Sequence, residues 1–255
     1  MMNAAMDAQV NELAEILRQS ERIVFFGGAG VSTESGLPDF RSESGRKATL
    51  EAFGMPPETI LSADFFWSDP STFYRYVKEF LYRPDAKPNA AHRALVRLEE
   101  AGKLLAIITQ NIDGLHQLAG SRTVWELHGS LRVFRCVDCS RSYSMEEAVQ
   151  QISEAAEPPV CECGNLLKPD VVLYQEGLPE RALAEAAAAV QSADTLIVAG
   201  TSLAVYPAAG LVPLFTGKHL VVINLSETPA DRGASLVIHE PVGQVLEIAV
   251  REAGY

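Results

Sequence analysis

The chain has 255 residues, 47% of them hydrophobic, and its 21 basic against 33 acidic side chains give a formal net charge of −12. This composition suits one folded domain with a sizeable core, and the negative charge excludes free nucleic acid as a natural partner while favouring lysine-rich protein segments. No apolar run approaches the roughly 20 residues that cross a bilayer, and the N-terminus lacks the features of a signal peptide, so we expect a cytoplasmic protein without membrane contacts.

The first predicted elements are a helix and a strand. Val10, Leu13 and Leu17 recur at helical spacing, and residues 22–26 form a short apolar run typical of a buried strand. A glycine-rich segment follows, and we expect a second helix to start directly after it. The N–H groups of such a turn, together with the helix dipole, form a site for the pyrophosphate of a dinucleotide.

The glycine-rich segment, Gly28-Ala29-Gly30-Val31-Ser32, is not decisive by itself. Gly28 and Gly30 would let the backbone approach a pyrophosphate, but Thr33 stands where the usual dinucleotide fingerprint has its third glycine. Tight glycine turns that bind nothing are also common. The local sequence therefore leaves both interpretations open.

Strands and helices alternate again later in the chain. The runs 104–109, 195–199 and 220–223 are rich in Ile, Val and Leu, which is typical of parallel strands covered on both faces, and a helix over 179–191 precedes one of them. The pattern predicts a doubly wound parallel α/β sheet with its ligand site at the carboxyl ends of the strands. Gln110, Gly200 and Asn224 directly follow these strands and are candidates for ligand contacts.

Two stretches interrupt the alternation. Residues 42–85 are rich in aromatic residues and proline and predict short helices with loops, whereas residues 131–168 contain all four cysteines. Cys136-x-x-Cys139 and Cys161-x-Cys163 predict a closed tetrahedral zinc site with a structural role. Two disulfides or four unrelated thiols are the alternatives, and disulfides are disfavoured in the expected reducing compartment.

Four sequence motifs occur in order along almost the whole chain. They are Gly28-Ala29-Gly30-Val31-Ser32 with Gly36-Leu37-Pro38-Asp39-Phe40-Arg41, then Thr109-Gln110-Asn111-Ile112-Asp113-Gly114-Leu115-His116, then Leu127-His128-Gly129, then Gly200-Thr201-Ser202-Leu203. Together with the cysteine pairs they resemble the sirtuins, the NAD-dependent protein lysine deacylases. The resemblance implies a Rossmann-like domain of residues 1–41, 86–130 and 169–255. It also implies an inserted small domain with a helical module, residues 42–85, and a zinc-ribbon-like module, residues 131–168.

The resemblance implies an enzyme that moves the acyl group of an acyl-lysine to the ADP-ribose part of NAD and releases nicotinamide and O-acyl-ADP-ribose. The acyl carbonyl oxygen attacks the anomeric carbon as the nicotinamide–ribose bond breaks, so the site must exclude water and hold both reactants in line. A general base then activates a ribose hydroxyl. His128 matches the family's catalytic histidine, and an imidazole suits this task near neutral pH.

The other motif residues receive roles from the same resemblance. Asn111 orients the ribose and a bound water, and Asp113 holds the nicotinamide carboxamide with Ile112 beside it. Phe40 covers the nicotinamide face and Arg41 lies near the phosphates or ribose, although a core aromatic and a solvated charge are the alternatives. The remaining predicted NAD contacts are Gly28, Ala29, Gly30, Ser32, Thr33, Asp39, Gln110, His128, Gly200, Thr201, Ser202 and Asn224.

The predicted substrate contacts are Tyr74, Val171, Val205, Tyr206 and Pro207. The loop at 205–208 resembles a segment that pairs with the substrate peptide through backbone hydrogen bonds. Its partner in the family is a Phe-Gly-Glu turn, which here reads Tyr174-Gln175-Glu176. The replacement of glycine by Gln175 leaves the local backbone and the peptide preference open.

Two helix positions bear on the acyl group. Sirtuins that remove succinyl or malonyl groups carry a tyrosine and, three positions later, an arginine that pairs with the distal carboxylate; here these positions are Tyr74 and Val77. Val77 leaves a carboxylate unpaired, which predicts a deacetylase for acetylated proteins or peptides, tolerant of longer uncharged chains and weak on succinyl-lysine. Arg75 or Lys78 would supply the missing charge if the helix register differed.

Two other classes of protein share part of this pattern. A hydride-transferring dehydrogenase would place an acidic residue at the end of a second strand, about 20 residues after the glycine turn, where this chain has Ser44-Gly45-Arg46-Lys47 and no strand. A non-catalytic module that binds NAD or acyl-lysine is disfavoured by the presence of Asn111 and His128 but stays open. His116 is expected to order its own loop, and the remaining three histidines have no predicted role.

Overall fold

The computed structural model describes residues 4–39, 42–152 and 157–255. Nine strands occur among them, in chain order β1 (Ile23–Gly27), β2 (Leu104–Thr109), β3 (Val124–Glu126), β4 (Gly129–Cys136), β5 (Ser142–Ser144), β6 (Leu167–Val171), β7 (Thr195–Ala199), β8 (His219–Ile223) and β9 (Leu236–Ile238). The α-helices are α1 (Ala4–Gln19), α2 (Glu43–Phe53), α3 (Pro57–Ile60), α4 (Ala63–Ser68), α5 (Pro70–Tyr76), α6 (Ala90–Glu100), α7 (Leu115–Ala119), α8 (Met145–Gln151), α9 (Glu180–Ser192) and α10 (Val242–Glu252).

Six strands form the central sheet, in the spatial order β3-β2-β1-β7-β8-β9, and each neighbouring pair is parallel. Residues of β1 alternate between two cores: Phe25 packs on the side of α1, α6 and α10, and Phe26 packs on the side of α9. Both faces are therefore covered, which explains why the strand sequences are continuously apolar. The predicted doubly wound sheet is confirmed, and its order reverses between β1 and β7, the point where such sheets bind ligands.

The small domain combines the two interrupting stretches. Strands β5, β4 and β6 form an antiparallel sheet, and a π-helical turn, Val77–Leu81, extends α5. Phe53 and Tyr74 from the helices share one core with Phe134 and Leu167 from the sheet. The helical and cysteine-bearing stretches therefore stabilise each other through common apolar burial. None of the helices in the described ranges is both long and apolar enough to cross a bilayer.

The glycine-rich segment differs from its prediction, because no α-helix starts directly after it. Two short 3₁₀ turns, Ala29–Val31 and Thr33–Ser35, occupy this place. Gly36 adopts a left-handed conformation with φ of 80° and ends the second turn, and Pro38 lacks the N–H that a continuing helix would need. The expected helix dipole at this turn is therefore missing, and the first α-helix after β1 in the described residues is α2.

Two histidines are buried together between α6 and α7. The exposed fractions of His92 and His116 are 0% and 1%, and their ring centroids are 4.7 Å apart. Burial lowers the pKa of His92 to about 4 and that of His116 to about 3, because a charged imidazole would lose its hydration. Both rings are therefore neutral in the folded protein at physiological pH.

This burial predicts a specific acid sensitivity. The unfolded chain binds protons on these histidines near pH 6.5, so the stability that their neutral forms provide is present above that pH and falls as the pH drops towards 4. Each histidine should contribute a loss of about 2 kcal/mol between pH 7 and pH 5. His116→Leu should reduce the difference between urea unfolding free energies at these pH values by about that amount.

The matched control is Leu118→Ala, which changes an exposed residue of the same helix as His116 and removes no titratable group. This variant should keep the wild-type difference between the two pH values. An equal pH dependence of wild type and His116→Leu would contradict the interpretation of the buried pair.

Candidate functional site

The loop after β1 packs directly against the loop after β7. The Gly28 N–H donates to the Ala199 carbonyl over 3.1 Å, and the Gly30 N–H donates to the Gly200 carbonyl over 2.9 Å. A Cβ at Gly30 would lie 2.7 Å from the Gly200 Cα, and one at Gly28 would lie 2.8 Å from the Gly200 carbonyl oxygen. The close contact between the two backbones thus requires glycine at both positions. This requirement is separate from the predicted approach of these glycines to a pyrophosphate.

Asn111, Ser32 and Asp113 form one hydrogen-bonded network beside this loop. The Asn111 Nδ2 donates to the Gly28 carbonyl over 3.0 Å and to the Ser32 Oγ over 3.1 Å. The Ser32 hydroxyl donates to Asp113 Oδ2 over 2.7 Å, and Asp113 Oδ1 accepts from the Leu115 N–H over 2.9 Å. Burial raises the pKa of Asp113, while these two donors favour its charged form. Three predicted NAD contacts from two loops therefore meet at one place.

His128 lies at the same edge of the sheet, between β3 and β4. Its Nδ1 is 2.9 Å from the Gln110 carbonyl oxygen, and the Gln110 Nε2 donates to the Thr201 Oγ1 over 3.0 Å. Because a carbonyl oxygen only accepts, Nδ1 carries the proton, and Nε2 is the nitrogen that acts as the base. The backbone carbonyl of Gln110, the residue after β2, thus fixes the tautomer that a general base at Nε2 requires.

A cavity of about 450 Å³ opens beside the loop after β7. Its lining includes Arg46, Glu58, Tyr174, Ser202, Val205 and Tyr206. Ser202 is a predicted NAD contact, and Val205 and Tyr206 are predicted substrate contacts, so the cavity brings both groups together. Tyr206 is 75% exposed, as expected of a residue at a binding loop rather than in a core.

Other predicted substrate contacts lie elsewhere. Tyr74 and Val77 are both 0% exposed in the core of the small domain, and the Tyr74 hydroxyl donates to the Leu167 carbonyl. Arg75 lies over the Phe53 ring, 4.5 Å from its centroid, and the Lys78 Nζ donates to the Ile152 carbonyl over 2.8 Å. Both cations are therefore engaged away from the cavity. A role of Tyr74 in an acyl pocket stays a prediction.

The remaining predicted residues have individual positions. Val171 is 6% exposed and pairs with Gly129. Asn224 follows β8, where its N–H bonds the Ile238 carbonyl and its Nδ2 bonds the Ser226 carbonyl. Thr33 is exposed and donates its hydroxyl to the Gly30 carbonyl. The other four residues accept backbone hydrogen bonds at their carbonyl oxygens: Asp39 from Ser42, Ala29 from Ser32, Ile112 from Leu131 and Pro207 from Gly210. Phe40 and Arg41 lie outside the described residues.

Asn89 was missed by the sequence reasoning. It caps α6 by accepting from the Ala91 N–H, and its Nδ2 donates to the Val31 carbonyl over 2.7 Å and to the Ser35 Oγ over 3.0 Å. It thereby holds the two 3₁₀ turns against α6. The signal was present, since an Asn after Pro88 and before an Ala-rich helix is typical of an N-cap.

All four cysteines form one cluster. Their sulfur atoms lie within 4.8 Å of one another, with 3.4 Å between Cys136 and Cys163 and 3.5 Å between Cys139 and Cys161. Tetrahedral zinc–sulfur bonds of about 2.3 Å would separate the sulfurs by about 3.8 Å, so the donor set fits zinc. The Cys163 N–H and then the Tyr143 hydroxyl hold the pKa of Cys161 at about 6, which favours the thiolate that a metal needs. Four ligands leave no open position, so the site is structural.

Comparison with known proteins identifies the family. The sequence profile of the Sir2 family matches residues 28–207. A protein of Clostridium acetobutylicum described as an NAD-dependent protein deacetylase is 52% identical over 242 residues, which cover 95% of this chain and 98% of that protein. The chain therefore belongs to the Sir2 family, the sirtuins.

Solved structures agree with this assignment over nearly the whole length. A Sir2 protein with a p53 peptide and NAD⁺ has a TM-score of 0.85 and 40% identity, covering 96% of this chain and 98% of that chain. A substituted Sir2 protein with a deacetylated p53 peptide and 3′-O-acetyl-ADP-ribose has a TM-score of 0.88 and 39% identity, covering 96% and 99%. The sirtuin fold expected from the sequence motifs is confirmed.

The cysteine cluster predicts about one zinc per chain. Cys136→Ser removes one of four ligands and should lose the metal, because three thiolates no longer complete the tetrahedron. The variant should also lower the thermal midpoint, since Cys136 and Cys161 belong to the core of the small domain. Elemental analysis and a thermal melt measure both effects.

Asp138→Asn is the matched control, because Asp138 is exposed and lies between two ligands without being one. It should keep the zinc content and the melting midpoint. Freshly purified wild-type protein without zinc would contradict the assignment.

Proposed function

We propose that the chain is an NAD-dependent protein lysine deacetylase, which transfers an acetyl group from acetyl-lysine to ADP-ribose and releases nicotinamide. The observation that carries the proposal is the position of His128. Its Nδ1 is held by the Gln110 carbonyl, and the Gln110 side chain donates to Thr201, the neighbour of Ser202 on the cavity. The similarity to curated deacetylases and to a Sir2 structure with an acetylated product supports the same reaction.

The polar groups at the switch point fit NAD. Asp113 and Ser32 offer a carboxylate and a hydroxyl at the end of the Asn111 network, as a carboxamide and a ribose require. Ser202, on the cavity, and Asn224, after β8, are proposed contacts for the phosphate and adenosine end. Bound NAD supplies a ribose carbon with nicotinamide as its leaving group. The residues of these loops would hold NAD and the acyl-lysine together, as an in-line displacement at this carbon requires.

His128 is proposed as the general base. With Nδ1 protonated, Nε2 takes the proton from a ribose hydroxyl, and the Gln110 carbonyl then stabilises the resulting imidazolium through the remaining Nδ1–H bond. This bond comes from the backbone, so it persists whatever side chain stands at position 110. The base is thereby ready in one tautomer before the substrate arrives.

The cavity between Tyr174 and the Val205–Tyr206 segment is the proposed site of the substrate peptide. Backbone pairing at such an edge accepts many sequences, which suits an enzyme that acts on several acetylated proteins. The negative net charge of −12 suits lysine-bearing segments. We place this activity in the cytoplasm, where reducing conditions keep the four cysteines available to zinc.

A hydride-transferring dehydrogenase is disfavoured by α2. The helix occupies Glu43–Phe53, where a dehydrogenase would have its second strand ending in an acidic residue. Nicotinamide release that requires an acetyl-lysine peptide, without formation of reduced cofactor, is the direct test of the proposed reaction.

The assignment of His128 as the general base predicts a large loss of turnover when this side chain is removed. His128→Ala should lower kcat for deacetylation by about 10²–10⁴-fold, because it removes the imidazole that the Gln110 carbonyl holds in place. Binding of NAD should be largely retained, since the Asn111 network is unchanged. The measurements are nicotinamide release with an acetyl-lysine peptide and a thermal melt.

His219→Ala is the matched control, because His219 is the first residue of β8, at the end of the sheet opposite to the proposed site. It should keep the wild-type kcat. Near-normal turnover of a well-folded His128→Ala protein would refute the assignment of the base.

The acyl preference gives a further expectation. Arg75 and Lys78 are engaged with Phe53 and Ile152, so neither cation is placed to neutralise a succinyl carboxylate. An unpaired buried carboxylate is strongly unfavourable, and kcat/KM should be at least tenfold higher for acetyl-lysine than for succinyl-lysine in one peptide sequence. A succinyl value equal to or above the acetyl value would show that a cation reaches the acyl group.

A further inference from the structure

The turn after β6 is attached to the helical part of the small domain. The Tyr174 N–H donates to the Leu61 carbonyl over 2.9 Å, and the Tyr174 carbonyl accepts from the Ala63 N–H over 3.0 Å. These two bonds add the turn as a parallel bridge beside Ser62, at the start of α4. Tyr174 is therefore fixed by its backbone and still lines the cavity.

Gln175 adds a second attachment through its side chain. Its Nε2 donates to Asp64 Oδ2 over 2.7 Å, and its Oε1 accepts from the Asp64 N–H over 3.1 Å. Both ends of the amide are used on one residue in the first turn of α4. Gln175 and Asp64 are both exposed, so their contact does not contribute to a hydrophobic core. Its effect is to fix the position of the turn.

The backbone of Gln175 is unusual for its residue type. Its φ of 80° lies in the left-handed region, which glycine adopts freely and glutamine adopts at a free-energy cost. The turn of the sirtuins has glycine here, which has no side chain to attach. Glutamine keeps the left-handed shape and adds two hydrogen bonds to Asp64, so the unfavourable backbone is offset by a contact that glycine lacks.

The same segment is connected to the proposed base. The Val172 N–H donates to the His128 carbonyl over 2.9 Å, three residues before Gln175. Within the turn, Glu176 Oε2 accepts from the Leu173 N–H over 2.9 Å and from the Lys168 Nζ over 3.1 Å. The turn is thus braced internally and anchored at both ends, by His128 and by Asp64.

We propose that Gln175, held by Asp64, is a positioning residue that fixes the Tyr174 wall of the substrate cleft to the helical part of the small domain. This inference rests on the proposed function, because it assigns the cleft to the acetyl-lysine peptide. A fixed wall presents the peptide with an edge that is already in place, so less ordering is needed on binding. The contact therefore acts on the affinity for the peptide and leaves the chemical step and NAD binding unchanged.

Gln175→Asn is the informative variant. Asparagine tolerates the left-handed backbone better than glutamine, but it is one methylene shorter and cannot make the same contact with Asp64. The variant should raise KM for an acetyl-lysine peptide by about three- to fivefold at saturating NAD, as expected for the loss of an exposed hydrogen-bonded contact. Its kcat and its KM for NAD should stay within about twofold of wild type, within the range of near-neutral changes.

Three further variants separate this role from a purely structural one. Asp64→Ala removes the side-chain acceptor of the Gln175 Nε2 but keeps the backbone N–H that bonds the Gln175 Oε1, so it should raise KM for the peptide in the same direction and by no more than Gln175→Asn. The double variant should be no worse than Gln175→Asn alone. Asp64→Asn retains an acceptor oxygen and should restore a KM near that of wild type. A general loss of structure would instead lower kcat and the melting midpoint of Gln175→Asn together.

An unchanged peptide KM in Gln175→Asn, additive effects in the double variant, or a parallel fall of kcat and melting midpoint would overturn the proposal. These outcomes test the proposal only when the wild-type enzyme releases nicotinamide in the presence of the peptide. If the wild-type protein itself releases none, the proposed function fails, and that result is distinct from a failure of the contact between Gln175 and Asp64.

Discussion

The close packing of the loop after β1 on the loop after β7 is the contact on which the rest of the site depends. Gly200 has φ of 59°, and a Cβ there would lie 2.5 Å from the Val31 nitrogen, so the two backbones touch with no side chain between them. Gln110 then reaches across from β2 to Thr201. Loops from three neighbouring strands are thereby locked before any ligand binds, which is the preorganisation that in-line chemistry requires.

His128 occupies the junction between the two sheets. Only Leu127 and His128 separate the end of β3 from the start of β4, and Leu127 is fully buried. Gly129 has φ of 71°, and a Cβ there would meet the Asp170 carbonyl at 2.1 Å, so the chain turns sharply into β4 against β6. The histidine is held through its ring by Gln110, which follows β2 of the six-stranded sheet, and through its backbone by Val172, which follows β6 of the three-stranded sheet. Its orientation therefore depends on both sheets.

Much of this arrangement is encoded locally. The strands 104–109 and 195–199 were predicted with their observed bounds, because β7 is buried throughout, β2 is buried except at Leu105, and both runs are apolar apart from one threonine at an end. The cysteine spacing likewise predicts the cluster. In contrast, β6 contains Pro169 and lies at a sheet edge, where proline is tolerated, so its sequence does not read as a strand. β9 has three residues, too few to show a period.

The site itself divides along the same line. The motifs predict which residues belong to the site, but the contacts of these residues depend on backbone groups from distant parts of the chain. The Gln110 carbonyl that holds His128 carries no side-chain signal, and nothing near Gly30 in the sequence indicates that Gly200 lies against it. The contact between Gln175 and Asp64 joins residues 111 positions apart, so a single sequence cannot indicate it.

The order of the strands also has a consequence for how the chain is made. β1 lies between β2 and β7 in the sheet. β1 ends at Gly27 and β7 begins at Thr195, so this second neighbour is synthesised 168 residues after β1 ends. The small-domain core, in contrast, uses residues from Phe53 to Leu173 and is complete before β7 leaves the ribosome. Domains fold as units during synthesis, and contacts between distant segments form slowly. During synthesis, the residues of the small-domain core are therefore all present while one edge of β1 still lacks its neighbouring strand. Unpaired strand edges promote association with other chains, so this edge of β1 is where we expect a chaperone to bind the nascent chain.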